Sequence, residues 1–252
     1  MQGKMKVAVM TGVGRSAFEE REIPRPKAGE VLVKLEYIGI CGSDLHYYAT
    51  GGIGDCRVEP PFVLGHEAGG TVVETGAGVT GLKAGDRVAL EPGKTCGHCE
   101  FCRTGRYNLC PDVRFMAAPP FDGALQNYLA HPADLCFRLS DSMTMQEGAM
   151  LEPLAVGMHA AKRGGVTMGQ SVCILGSGTI GIMTLLACKA LGATRIVVSD
   201  LIESRLESAK AFGADVVVNP REQDLEAAVM ELTGGAGCDV VFETAGSPHT
   251  MV

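Results

Sequence analysis

The sequence has 252 residues, 46% of them hydrophobic and 20% charged, which is ordinary for a globular chain of one or two domains. A net charge of −7 and a pI near 5.4 argue against a nucleic-acid surface, which calls for a basic face. No early apolar run has basic flanks and a cleavage site, and no stretch approaches the roughly 20 apolar residues of a membrane span, so a cytoplasmic, reducing setting without disulfides is expected.

Up to about residue 150 the chain reads as short strands punctuated by Gly and Pro. "KVAVMTG", "EVLVKLEYIGI", "TVVETGAG", "DRVALEP" and "LCFRLS" are β-branched runs between turn residues, which predicts a mainly β domain. "MQEGAMLEPLAVGMHAAKR" then has helical apolar spacing, with Pro153 either kinking the helix or lying near its start. Next comes a regular alternation: strand "SVCILG", helix "TIGIMTLLACKALGA", strand "RIVVSD", helix "ESRLESAKAFGA", strand "DVVVN", helix "DLEAAVMELTG" and strand "CDVVFETAG". Strands and helices taking turns predict βαβ units and a parallel sheet. The expected division is 1–157 and 158–252.

Three local patterns carry chemistry. "CGHCEFCRTGRYNLC" holds Cys96, Cys99, Cys102 and Cys110, four of the ten cysteines. Such a stretch reads as a disulfide knot, a nucleic-acid zinc module or a metal site inside a larger fold. The reducing setting weakens the first reading and the acidic charge the second. In "ILGSGTIG", Gly176, Gly178 and Gly181 follow a strand and open a helix. The first glycine allows a tight turn, the second lets a pyrophosphate approach and the third lets helix and strand pack closely. Asp200 ends the next strand, 19 residues after Gly181, where a carboxylate accepts hydrogen bonds from a ribose and repels a 2′-phosphate. Finally "GICGSDLHYY" and "LGHEAGGTV" offer Cys41, His66 and Glu67 as ligands. Taken singly, Cys41 also reads as a small buried hydrophobe and His66 as a hydrogen-bonded core histidine.

Together "CGSDLH", "GHEAGGTVVETG", the four-cysteine lobe, "LEPLAVG" and "GSGTIG…SD" resemble the zinc-dependent medium-chain dehydrogenases, and most closely their sorbitol, L-iditol and xylitol branch. The resemblance runs from residue 5 to residue 250. It implies a GroES-like β domain carrying a catalytic zinc, followed by a Rossmann doubly wound sheet that is incomplete at its C-terminal end. Cys41 and His66 match zinc ligands, and Glu67 a carboxylate at or near the metal. Glu152 falls where ordinary alcohol dehydrogenases carry a second zinc cysteine; in the polyol branch a glutamate stands there. Ser43 matches a proton-passing hydroxyl, with His46 either its assistant or an exposed histidine without a role, while Tyr47 and Phe115 match substrate-pocket residues. Ile180, Asp200 and Arg205 match cofactor contacts. The four-cysteine lobe matches a second, structural zinc site with a closed tetrahedron. Cys56, Cys136, Cys173, Cys188 and Cys238 lack such spacing and are expected in the core.

The resemblance thus implies an NAD- and zinc-dependent oxidation of a polyol's secondary alcohol to a ketose by a homo-oligomer, a tetramer or dimer, with no nucleic-acid or membrane partner. A threonine 3-dehydrogenase or another secondary-alcohol dehydrogenase is the enzymatic alternative, and a non-catalytic dinucleotide-binding relative the alternative of another class. Because such enzymes continue beyond the strand "DVVFETAG", the segment alone is expected to be poorly soluble or inactive, with that strand's outer edge unpaired.

Overall fold

The structure is a computed structural model that describes residues 2–251. Its contacts divide the chain between Glu152 and Pro153 into two units. The strands of the first are β1 (Lys4–Gly12), β2 (Arg15–Glu22), β3 (Glu30–Gly39), β4 (Gly52–Ile53), β5 (Cys56–Arg57), β6 (Glu67–Thr75), β7 (Arg87–Leu90), β8 (Gly93–Lys94), β9 (Arg114–Phe115), β10 (Tyr128–Pro132) and β11 (Cys136–Arg138). Its helices are α1 (Gly42–Thr50), α2 (Glu100–Arg103) and α3 (Met145–Ala149).

The main sheet is five-stranded and antiparallel, in the order β10-β3-β6-β7-β11. Alternation explains its buried face. Val31, Val33 and Leu35 of β3 meet Ala68 and Val72 of β6 and Val88 and Leu90 of β7. Burying each such Val or Leu contributes about 1.5–3 kcal/mol before entropy is counted. β1 pairs with β2 and sends Met5, Val7 and Val9 against Val63 in a second cluster. β2 is absent from the sequence reading because "RSAFEERE" offers no buried face, and its Phe18 is 79% exposed. The helix α1 escapes it too, since only Asp44 and Tyr47 of its nine residues are buried.

The second unit takes up most of α4 (Leu151–Arg163), then β12 (Ser171–Leu175), α5 (Thr179–Ala190), β13 (Arg195–Ser199), α6 (Glu203–Ala211), β14 (Val216–Val218), α7 (Leu225–Thr233) and β15 (Val240–Glu243). Pro153 sits in the first turn of α4, where a missing N–H costs little. The sequence-based division at 157/158 falls further along the same helix. The four strands are parallel in the order β14-β13-β12-β15. Val172, Ile174, Ile196 and Val198 pack with Ile182, Leu185 and Cys188 of α5. Cys173, Val197 and Val218 pack on the opposite face with Leu225, Val229 and Leu232 of α7. A sheet covered on both faces accounts for the unbroken apolar strands.

Of the five cysteines expected in the core, Cys136, Cys173 and Cys188 are buried and Cys238 is half-buried. Cys56 is a correction: it is exposed, because the two-residue strand β5 pairs only with β4 and presents no face to a core. Among the described residues, no helix is long and apolar enough to cross a membrane.

Candidate active site and metal centres

Cys41 stands between β3 and α1 as the N-cap of the helix, in an extended conformation. Three residues later Asp44 folds back, and its Oδ2 accepts the Cys41 backbone N–H at 3.0 Å. The other oxygen of Asp44 accepts the Gly65 N–H at 2.8 Å and lies 4.0 Å from His66 Nδ1. One carboxylate, 3% exposed, therefore ties the cap of α1 to the residue preceding His66. Gly65 adopts φ +89°, and a Cβ there would press on Leu125 and Ile38 at 3.0 and 3.1 Å. Glu67 opens β6 directly opposite Gly39, whose lack of a side chain leaves room for the Glu67 carboxylate.

These constraints bring one donor atom each from Cys41, His66 and Glu67 within 4.8 Å of one another. His66 and Glu67 are buried and Cys41 is half-buried. Burial pushes the Cys41 thiol up, and likewise the Glu67 carboxyl, which the His66 charge and a Cys41 hydrogen bond partly offset. Glu152, in the first turn of α4, is also pushed up, first by burial; the charge of His66 opposes this, and those of Glu67 and Glu91 add to it. It lies outside the three-residue group yet close enough to feel its charges. The Phe115 ring sits edge-on to His66 with centroids 5.5 Å apart. The Ser43 side chain hydrogen-bonds with Cys41, and His46 is exposed. Tyr47 is buried among Met10, Phe62 and Leu64. Asp44 was not singled out from the sequence, although an acid three residues into the helix is its signal.

The donor set fits zinc. A thiol, an imidazole and a carboxylate are ordinary zinc ligands, and three protein ligands leave a position open. Acids that burial makes reluctant to ionise are those a buried dication would compensate.

In the lobe, the sulfurs of Cys96, Cys99, Cys102 and Cys110 also lie within 4.8 Å of one another. Backbone N–H groups point at them: Cys99 N–H donates to Cys96 Sγ at 3.3 Å, Cys102 N–H to Cys99 Sγ at 3.5 Å and Cys96 N–H to Cys110 Sγ at 3.4 Å. The backbone N–H groups of His98 and Cys99 bring the Cys96 thiol down to about 6. The Cys99 thiol, despite the Cys102 N–H, is pushed up to about 11 by burial and its sulfur neighbours, as expected of crowded thiols without a cation. All four are free thiols gathered at ligand distance, so this set fits a closed structural zinc site.

In the second unit, Gly176 adopts φ +101°, and a Cβ there would meet Ala245 N at 2.7 Å. Gly178 caps α5 with open space beside it. Gly181 lies so close to the Gly176 carbonyl that no side chain fits. The three glycines thus divide into turn, open approach and close packing. Ile180 is half-buried in the first turn of α5. Asp200 accepts the Ser177 N–H at 2.7 Å and the Ile202 N–H at 3.0 Å, with Arg205 Nη1 3.8 Å away. Ser177, another residue not singled out, donates its hydroxyl to the Arg205 carbonyl at 2.9 Å.

Known proteins resemble this chain in sequence and fold. The family described as "Alcohol dehydrogenase GroES-like domain" matches residues 27–141, and "Zinc-binding dehydrogenase" matches residues 179–252. The sorbitol dehydrogenase of Bacillus subtilis is 48% identical over 98% of this chain and 70% of its own length. Human sorbitol dehydrogenase is 46% identical over 96% of the chain and 69% of its own length. A crystal structure of an Escherichia coli oxidoreductase of unknown specificity superposes with a TM-score of 0.94 at 48% identity, covering 99% of this chain and 72% of that one. Matches of this extent reach both units, and the chain accordingly belongs to the zinc-binding dehydrogenase family, in which a GroES-like domain is joined to a Rossmann-type unit.

Proposed function

We propose that the protein is a polyol dehydrogenase that moves a hydride from a secondary alcohol to NAD. The observation that carries this reading is the acidic donor set, Cys41, His66 and Glu67 clustered with Glu152 in charge contact. The likeness to sorbitol dehydrogenases supports it. In this reading Cys41, His66 and Glu67 hold the catalytic zinc, Glu152 faces the metal or its water, and the four lobe cysteines hold the structural one. Residues 1–157 form the catalytic domain and 158–252 the cofactor domain.

Zinc and nicotinamide, when bound, supply Lewis-acid activation of a hydroxyl and a hydride acceptor. The chain's own residues do the rest. Asp44 fixes the approach of Cys41 and His66. Ser43 Oγ accepts the alcohol proton while passing its own toward solvent by way of His46. Phe115 and Tyr47 bound the substrate side. Gly178 admits the pyrophosphate to the N-terminus of α5, whose free N–H groups favour anions. Ile180 packs on the cofactor, and Asp200 and Arg205 engage its ribose.

A panel of sorbitol, xylitol, ribitol, threonine and ethanol, followed by reduced-nicotinamide absorbance, tests the substrate class. Turnover of a polyol is expected; turnover of threonine or ethanol alone would reject it. NAD is expected to outperform NADP in kcat/KM because Asp200 would be set against a 2′-phosphate. Asp200→Ser should narrow that preference, and equal or better use of NADP by the parent would refute it.

A further inference from the structure

Ser177 stands between the first two glycines of the 176–181 turn and is 3% exposed. A buried hydroxyl is tolerated only with a hydrogen-bond partner, and this one donates to the Arg205 carbonyl oxygen at 2.9 Å, across 28 residues. That carbonyl lies inside α6, where the helix's own ladder supplies it with an N–H. An alanine at 177 would therefore leave nothing orphaned on either side. What the hydroxyl adds is a tie between two segments.

The same two segments meet a second time. The Ser177 N–H donates to Asp200 Oδ2 at 2.7 Å, and Arg205 Nη1 lies 3.8 Å from that same oxygen. Ser177, Asp200 and Arg205 thus close a ring: backbone to carboxylate, carboxylate to guanidinium, carbonyl back to hydroxyl. The ring holds a helix that lacks its own anchor. α6 has Ile202 at its N-cap and so no side-chain cap, and the Ile202 N–H donates instead to Asp200 Oδ1 at 3.0 Å. The Asp200 side chain is 8% exposed and that of Arg205 52%, so the acid is held in the corner while the base reaches solvent. Gly178, directly after Ser177, is the position with open space beside it.

We infer that the Ser177 hydroxyl is a positioning group that sets the choice between the two nicotinamide dinucleotides. By tying the glycine turn to the first turn of α6, it fixes Asp200 and Arg205 at one distance from the turn that receives the pyrophosphate. A ribose with a free 2′-hydroxyl can donate to a carboxylate held there, whereas a 2′-phosphate meets a negative charge that cannot withdraw. Without the tie the corner can shift, the carboxylate loses its fixed place and Arg205 can turn to the phosphate. The inference rests on the cofactor reading above and deepens it.

Fluorescence titration of the zinc-loaded protein with NADH and NADPH tests this without turnover. Ser177→Ala should weaken NADH by about three- to tenfold, the size of one ordinary hydrogen bond, and leave NADPH no weaker than in the parent. A role confined to stability would lower the melting temperature and weaken both dinucleotides alike. Ser177→Gly removes the same hydroxyl and should repeat the result, which covers a Ser177→Ala that fails to fold. Asp200→Asn supplies the second leg of a double-mutant cycle. With the charge gone, adding Ser177→Ala should change the NADH-to-NADPH ratio by less than about twofold, because the hydroxyl acts through Asp200. A parent that binds NADPH as tightly as NADH would defeat the cofactor reading and this inference together. A parent that prefers NADH, with a Ser177→Ala that keeps the full preference, weakens both dinucleotides equally or narrows the ratio as much in the Asp200→Asn background, would overturn the inference alone.

Discussion

The lobe draws its four sulfurs from fifteen consecutive residues, Cys96 to Cys110, whereas Cys41 and His66 lie twenty-five residues apart on the cap of α1 and beside β6. The lobe's sulfurs are aimed by backbone N–H groups of the same loop. The donors of the mixed site, Cys41 and His66, are instead positioned by a side chain, Asp44, which bridges the backbone N–H groups of Cys41 and Gly65. The ligand sets also differ in completeness, four thiols against three mixed donors with a carboxylate nearby. A closed thiol set stabilises its loop and leaves no room for substrate, while an open mixed set serves chemistry at some cost in stability. Damage to the two should therefore have opposite signatures.

The largest expected effect separates them. In the proposed reading His66→Ala removes a zinc ligand, and the loss of several kcal/mol of Lewis-acid stabilisation should lower kcat by about a thousandfold or more while the melting temperature hardly moves. A variant that instead unfolds would show that the pocket is a structural site like the lobe. Cys99→Ser should do the reverse, costing about 3 kcal/mol or more in denaturant unfolding, with residual turnover in whatever remains folded. Unchanged stability would remove the lobe's structural role.

Asp44→Asn sharpens the contrast, since nothing in the lobe corresponds to Asp44. Zinc affinity at the pocket should fall about 10- to 100-fold, read by competition with a chelator, with lobe zinc unaffected. Equal affinity would mean that the 4.0 Å approach to His66 does no orienting.

The smallest effect concerns pH in the metal-free fold. Burial raises the Glu67 carboxyl, so the folded chain holds that proton more tightly than the unfolded one. The stability it contributes is fully present below the unfolded value of about 4.3 and is lost as pH rises through the raised folded value. Metal-free Glu67→Gln should therefore gain on the metal-free parent in thermal unfolding as pH rises from about 4 toward 7. Parallel curves would contradict this.

The same contrast explains what sequence reveals. The lobe can be read directly because its spacing is local, and the glycines of 176–181 because each is required within one turn. The long apolar runs of β12 and β13 are legible because both faces of that sheet are covered. Cys41, His66 and Glu67 become a set only when β3 and β6 pair, so resemblance carried them where spacing could not. Asp44 and Ser177 depend on contacts across 21 and 28 residues, which periodicity does not encode. β2 stayed hidden because its pattern has no buried face, and Cys56 was misplaced because no local feature marks its two-residue strand as exposed.

Counting zinc by native mass spectrometry tests the pairing of a structural and a catalytic site most directly, in the parent, His66→Ala and Cys99→Ser. The account predicts two ions in the parent and one in each variant, with the ion kept by His66→Ala resisting chelators longer than the one kept by Cys99→Ser. A parent that holds a single zinc, or a His66→Ala variant that still holds two, would contradict it.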